Sequence, residues 1–207
     1  MSEVPLTRQP VSDARQKQIR AAVRTAEGIP FEIAPSRLAT SLDAAALLDF
    51  LSDPAIHTPI YNLPKPLSED RVRDFIAGKL DARDRGEGLL FLRIDALGAI
   101  MGYSEIDVWP QWGAGDLGGA LRRDQQGQRA GVRGAARTFS WMFDTLHLEL
   151  IVATAALDNV RTARMLDGLG FERKGEIVSH RPDGGTRPSR VWEVTRTDWS
   201  AQQSAVD

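Results

Sequence analysis

Two carboxylates stand inside apolar stretches of the chain. Glu105 lies in the middle of Ala99 to Val108, and Asp116 opens Asp116 to Leu121. A carboxylate on a central strand can relay a proton through water, as general acid–base chemistry requires. Each also reads as a strand-end or solvent-facing acid. Just behind Asp116, Gly118 and Gly119 inside a strand signal a bulge, a close backbone approach or a flexible edge. Next comes Gln126 to Val132, a Gly-containing loop that opens a helix. Successive backbone N–H groups at a helix start form an anion site, and the helix dipole favours the same charge. Arg122, Arg123, Arg129, Arg133 and Arg137 add a local basic patch, whose simpler reading is a solvated helix start with no ligand. Further on, Asp158 or Asn159 reads as the N-cap of a short helix.

Other chemistries fall away. His57, His147 and His180 give no metal spacing. No Ser-His-Asp set assembles with any specificity. The chain has no cysteine, which excludes disulfides, a cysteine nucleophile and thiolate metal sites.

The elements that must position these residues follow from periodicity and breakers. Residues 1–30 read as an N-terminal extension with a helix between Val11 and Glu27, either a mobile tail or a helix packed on a partner subunit. A first strand spans Phe31 to Thr40. Asp43 caps a helix through Leu51, and Ile56 to Pro66 is a Pro-rich loop. A second helix covers Leu67 to Arg85 and is closed by Gly86 and Gly88. Strands follow at Leu89 to Ile94, Ala99 to Val108 and Asp116 to Leu121, with Trp109 and Trp112 in the loop between the last two. They read equally as pocket walls and as loop packing. A helix then carries Ala135, Thr138, Phe139, Met142 and Leu146, and Leu148 to Ala155 forms a fifth strand. A helix from Asn159 to Gly168 and strands at Arg173 to His180 and Ser189 to Thr195 complete residues 31–199. Residues 200–207 read as a polar tail. The order implies an α/β fold with a mixed sheet and crossover helices.

The chain has 207 residues, 42% of them hydrophobic, enough for one domain with a real core. A net charge of -2 argues against a general nucleic-acid or membrane-surface binder. No run approaches the roughly 18 apolar residues of a spanning helix, and the start has no signal-like apolar stretch. A cytoplasmic protein is expected.

Three stretches then carry a resemblance. "LGGALRRDQQGQRAG" is similar to a strand followed by a Q/R-x-x-G-x-G/A loop. "LDNVRTARMLDGLGFERKGE" is similar to Asn-x-x-Ser/Thr-x-x-x-Leu-x-x-x-Gly-Phe, and "HRPDGGTRPSRVWEVTRTDW" resembles a closing hairpin. Together with the element order they resemble the GNAT N-acyltransferases, in the RimJ/RimL-like branch, over Phe31 to Trp199. The resemblance implies a mostly antiparallel sheet flanked by helices, with splayed central strands. It implies acetyl-coenzyme A as cosubstrate and a primary amine as acceptor, either a protein N-terminus or a small molecule.

The resemblance also assigns roles. Gln126, Gly127, Gln128, Arg129, Ala130, Gly131 and Val132 would hold the pyrophosphate. The pantetheine arm would lie between the fourth and fifth strands and bond near Leu121. Asn159 and Thr162 would hold the arm on the thiol side. Asp116, where the branch has Glu, and Glu105 are the candidate proton relays. Two positions depart from the pattern: Arg129 replaces the middle glycine, and Leu166 replaces a tyrosine that protonates the leaving thiolate in many members. A register starting at Gln128 restores Gly131 as the middle glycine. It then puts Arg133 at a small position and Arg137 on the apolar face, so the first register is preferred. The expected activity is acetyl transfer by direct attack. The alternative is a degenerate member acting as a ligand-binding or interaction module. A homodimer is compatible with the extension.

Overall fold

The computed structural model describes residues 4–31, 34–126, 130–180 and 184–204. Its centre is a seven-stranded sheet: β1 (Ser36–Leu38), β2 (Gly88–Ile94), β3 (Ile100–Trp109), β4 (Ala114–Leu121), β5 (Leu150–Ala156), β6 (Glu172–His180) and β7 (Thr186–Thr195). The strand order is β1-β2-β3-β4-β5-β7-β6. All neighbours are antiparallel except β4 and β5, which run parallel. A parallel pair needs a long crossover, and α5 (Ala130–Leu146) supplies it.

Helices cover both faces. On one side α1 (Asp13–Thr25) and α5 enclose a core with Leu89, Phe91, Ile106, Ile151 and Trp192. On the other, α2 (Ala44–Leu51) and α4 (Glu69–Arg85) pack with Leu90, Leu92 and Tyr103. A third, smaller cluster on that second face joins Ala114, Leu150, Val152 and Val191 to Val4. The alternation of β3 produces this division, since Ile106 and Val108 face one core while Tyr103, Glu105 and Asp107 face the other way.

Local signals explain the helix ends. The Ser68 hydroxyl accepts from Arg71 N, and Gly86 closes α4 at φ 74°. Several expectations change. α1 is neither tail nor solvent-facing, because Ile19 and Val23 are fully buried in the main core. The first strand shrinks to Ser36–Leu38, and the Pro-rich loop begins with a short helix α3 (Pro54–His57) capped by Asp53. Asp43 does not cap α2 through its side chain. Its carboxylate pairs with Arg37 and accepts from Thr40 N and Oγ1 instead. Of the expected polar tail, residues 200–204 belong to a helix, α7 (Arg196–Ser204), and 205–207 lie outside the described residues. The Thr195 hydroxyl accepts from Asp198 N at 3.2 Å and donates to the Asp198 carboxylate at 2.6 Å, a reciprocal start signal. Trp199, 3% exposed, anchors this helix against Phe139, Phe143 and Phe171.

Candidate active site

The pairing of β4 with β5 stops early. Their register covers only Ala114↔Leu150, Gly115↔Ile151 and Asp116↔Val152, although both strands continue. Beyond Asp116 they part and leave a gap. On the other side β4 stays paired with β3 through Leu121, and Arg122 N donates to Met101 O at 2.8 Å. Antiparallel pairs alternate between bonded and non-bonded positions. Counting back from Arg122, the N–H and C=O groups of Leu121 and Gly119 turn away from β3, toward the gap.

The register through Gly118 and Gly119 is unbroken, so no bulge is present. The close approach is real. Gly119 has φ +151°, and a Cβ there would collide with the Tyr103 carbonyl oxygen. Past the strand, Gln126 Nε2 donates to Leu121 O at 2.8 Å, which ties the loop to the mouth of the gap. Gly127, Gln128 and Arg129 lie outside the described residues. Ala130, Gly131 and Val132 form the first turn of α5, with open space where a Cβ on Gly131 would sit.

The carboxylates form a row. Asp107 is opposite Asp116, Asp116 opposite Val152, and Val152 opposite Glu193. Directly opposed residues share a face, so Asp107, Asp116 and Glu193 line one face across four strands. Glu105 is the next residue on that face of β3, and Gly118 opposes it. Lys79 reaches down from α4 to Glu105 Oε1 and to Asp107 Oδ1, both at 2.6 Å. Asn62 Nδ2 donates to Glu105 Oε2 at 2.8 Å. Glu105 is 4% exposed, and burial raises its carboxyl pKa above the usual range against the pull of Lys79. Lys79 stays above its ordinary value, because Glu105 and Asp107 together outweigh burial, which alone would lower it.

Asp116 is pushed up to about 7, first by burial and then by the Asp107 charge opposite. Its Oδ1 accepts from Leu117 N at 2.8 Å, at the step where β5 ceases to pair. A poised carboxylate therefore stands where the two strands separate. Among the described residues no group of His, Cys, Asp and Glu could hold a metal ion, and no helix is long and apolar enough to cross a membrane.

Residues 37–172 match the family model described as "Acetyltransferase (GNAT) domain". That match spans most of the sheet, the gap and the loop. The chain belongs to the GNAT acetyltransferase family. It is an N-acetyltransferase, and acetyl-coenzyme A is its cosubstrate. Solved structures repeat the fold at low identity. A ribosomal-protein-S5-alanine acetyltransferase from Vibrio fischeri superposes with a TM-score of 0.68 at 20% identity, covering 84% of this chain and 99% of its own. RimJ of Mycobacterium smegmatis, in complex with a coenzyme A disulfide, gives 0.67 at 17%, covering 84% and 88%. A RimL ribosomal L7/L12 alpha-N-protein acetyltransferase in complex with coenzyme A gives 0.69 at 17%, covering 82% and 98%. No curated protein sequence matches the chain.

The GNAT gap fits an extended arm, because it offers main-chain groups of Gly119 and Leu121 with no neighbouring strand to take them. Asn159 caps α6 (Val160–Gly168), its Oδ1 accepting from Thr162 N at 3.0 Å. The cap leaves the side-chain amide N–H groups of Asn159 for another partner. Thr162, half-buried, lends its backbone to that cap. Leu166, at the tyrosine position, is buried in the main core at 1% exposure and carries no proton donor. Trp109 and Trp112 pack against the third cluster, on the face of the carboxylate row. Sequence reasoning missed Lys79, Asn62, Asp107 and Glu193. The helical stripe of α4 gave no reason to select Lys79, and strand register alone brings the others together.

Proposed function

We propose that the enzyme acetylates a primary amine presented on the face of the carboxylate row, by direct attack, with Asp116 receiving the amine's proton. The observation that carries this reading is Asp116 itself. It sits at the last β4–β5 pair, with its pKa raised to about 7. A base of that pKa is half ionised near neutrality, which suits proton removal from an ammonium group. The acetyl group arrives as a thioester of coenzyme A. The amine nitrogen forms the new C–N bond as the C–S bond breaks. The sulfur leaves as the coenzyme A thiol, taking its proton from water because Leu166 has none to give. The chain's part is to hold and align. Gly119 and Leu121 offer backbone N–H groups into the gap. Gln126 to Val132 provide the loop and the helix start for the pyrophosphate, and Asn159 and Thr162 flank the arm. Glu105 has both oxygens engaged by Lys79 and Asn62, so it serves as a positioning residue that keeps Lys79 beside Asp107. With no cysteine in the chain, direct transfer needs no acyl-cysteine stage.

The acceptor reading leans toward protein N-termini. The names of two structural neighbours describe acetylation of ribosomal proteins, one of them at the alpha-amino group. The test is Asp116→Asn, assayed over pH against a panel of peptides and small amines. The expected result is a drop in kcat of ~100-fold or more with little change in acetyl-coenzyme A affinity. An Asp116→Asn enzyme with wild-type kcat and pH profile overturns the assignment.

A further inference from the structure

Tyr61 and Asn62 are consecutive residues of the Pro-rich loop between α3 and α4, and they bond to opposite sides of the gap. Asn62 Nδ2 donates to Glu105 Oε2 of β3 at 2.8 Å. The Tyr61 hydroxyl donates to Ser179 O of β6 at 3.0 Å. Between β3 and β6 the sheet places β4, the gap, β5 and β7. The Tyr61 side chain therefore crosses the gap on the face of the carboxylate row. It crosses where the strands have parted. Glu105 opposes Gly118, the first row position on β4 beyond the last β4–β5 pair. Ser179 opposes Arg187, beyond the last β5–β7 pair at Ala156 and Ser189. The receiving end is built to hold the ring. The Arg187 guanidinium lies over Tyr61 at 4.1 Å, and its Nε donates to Ser189 Oγ at 3.3 Å. The Ser179 hydroxyl donates to the same oxygen at 2.8 Å, and Ser189 is fully buried. Tyr61 is itself only 8% exposed.

We propose that Tyr61 is a gate on the acceptor side: its side chain bars the gap while bonded to Ser179, swings off to admit the amine, and returns to keep water from the thioester during transfer. The proposal rests on the reading that the amine is acetylated on the Asp116 face. The ring is what moves. Ile56 and Leu63 are buried in the second core and fix the loop at both ends, and Asn62 pins it to the row. A rotamer change at Tyr61 opens the gap without moving that backbone. The contacts that shut it are one neutral hydrogen bond and one stacked cation, modest enough to be released and remade. Closure has a chemical purpose, because a thioester open to bulk water is hydrolysed: water takes the amine's place and yields acetate and the free thiol. Coenzyme A does not use this entrance. The helix start proposed for its pyrophosphate belongs to α5, on the opposite face of the sheet.

The test uses the full-length chain and reads the gate open and shut. Tyr61→Ala removes the bar, and Tyr61→Phe keeps the ring under Arg187 but deletes the bond to Ser179. Thiol release from acetyl-coenzyme A is followed with and without amine. Tyr61→Ala is expected to raise the amine-independent release by about fivefold or more, and Tyr61→Phe by less. Acetyl-coenzyme A affinity, measured by calorimetry, stays at the wild-type value in both. For the shut gate, Tyr61→Cys with Ser179→Cys is joined by a short bis-maleimide, which labels nothing else because the chain has no cysteine. The joined protein is expected to lose amine acetylation by about tenfold or more against the unjoined double variant, again with acetyl-coenzyme A still bound. Arg187→Met loosens the ring from the other side and carries the release measurement where Tyr61→Ala fails to fold. Joined protein that acetylates at the unjoined rate overturns the gate, and so does a folded open variant with wild-type thiol release. A wild-type chain that acetylates no amine sinks the function reading instead, and thiol release to water still reports on the gate.

Discussion

Asp107 of β3 and Asp116 of β4 stand directly opposite each other on one face of the sheet. Like charges so placed resist ionising together. Asp107 bonds Lys79 at 2.6 Å, and Asp116 rises to about 7, first through burial and then through the Asp107 charge opposite. With Asp116 as the base, kcat/KM climbs with pH through a midpoint near 7 and is lost in acid. Asp107→Asn removes the opposing charge, and the acid limb is expected to move to lower pH. Burial, the larger cause, remains, so the midpoint stays above that of an ordinary carboxylate. An unmoved limb shows that Asp107 does not set the titration.

The same shift affects stability. Asp116 titrates near 3.8 in the unfolded chain and near 7 in the folded one. Between those values the folded state holds the proton more tightly, so this residue's contribution to stability falls as pH rises and is least above 7. Asp116→Asn removes that penalty. The variant is expected to be more stable than wild type at pH 8, by on the order of a few kcal/mol, with the gain vanishing near pH 3. Denaturant melts at both pH values check the sign. A gain confined to low pH contradicts it.

Lys79 is the next test, because it serves two carboxylates at once. Lys79→Met leaves Glu105 buried with only Asn62 for company. Breaking a buried pair from one side costs ~3–5 kcal/mol, read as a lower urea midpoint. Lys79 also pulls the Asp116 titration down, so its removal moves the acid limb of the rate profile to higher pH. Lys79→Met combined with Glu105→Gln recovers part of the stability, since it removes the orphaned charge. No recovery points to packing of the lysine stem rather than charge.

What could be read from the sequence followed contact range. Asn159 to Phe171 and the paired glycines of β4 carry their meaning within a few residues, as a cap, a tight close and a strand with no room for side chains. Through the resemblance those stretches carry, the gap was legible in the sequence. The carboxylate row was not, because it depends on register across β3, β4, β5 and β7, and alternation within one strand does not specify which residue opposes which. The bonds that complete it are long-range: Asn62 to Glu105 spans 43 positions, and Leu6 to Glu193 spans 187. The N-terminal segment looked like an extension for the same reason. Its hold comes from main-chain amides, which no side-chain pattern advertises. The missed turns of α7 were legible in principle, since Thr195 and Asp198 have capping-box spacing.

Asn159 does two jobs that substitutions can separate. Its Oδ1 caps α6 through Thr162 N at 3.0 Å. Asn159→Ala removes the cap and is expected to cost ~1 kcal/mol as well as weakening acetyl-coenzyme A. Asn159→Asp keeps an acceptor for the cap and deletes the amide donors. It is expected to melt like wild type while losing cofactor affinity about tenfold, measured by calorimetry. If Asn159→Asp binds as tightly as wild type, Asn159 is a cap and nothing more.

Gly119 offers the sharpest check on the gap. Its φ of +151° is strained for any side chain, and a Cβ would strike the Tyr103 carbonyl oxygen. Gly119→Ala must therefore shift β4 against β3 at a residue whose N–H faces the gap. A stability loss of ~1–3 kcal/mol is expected, along with an acetyl-coenzyme A affinity reduced by more than that loss explains, since the folded fraction stays near one. Gly78 is the matched control. It lies exposed on α4, with nothing within 4 Å of the place a Cβ would take, so Gly78→Ala is expected to stabilise by ~0.5–1 kcal/mol and leave cofactor affinity alone. Equal cofactor affinity in both variants would show that the pantetheine arm does not use the backbone of β4 at Gly119.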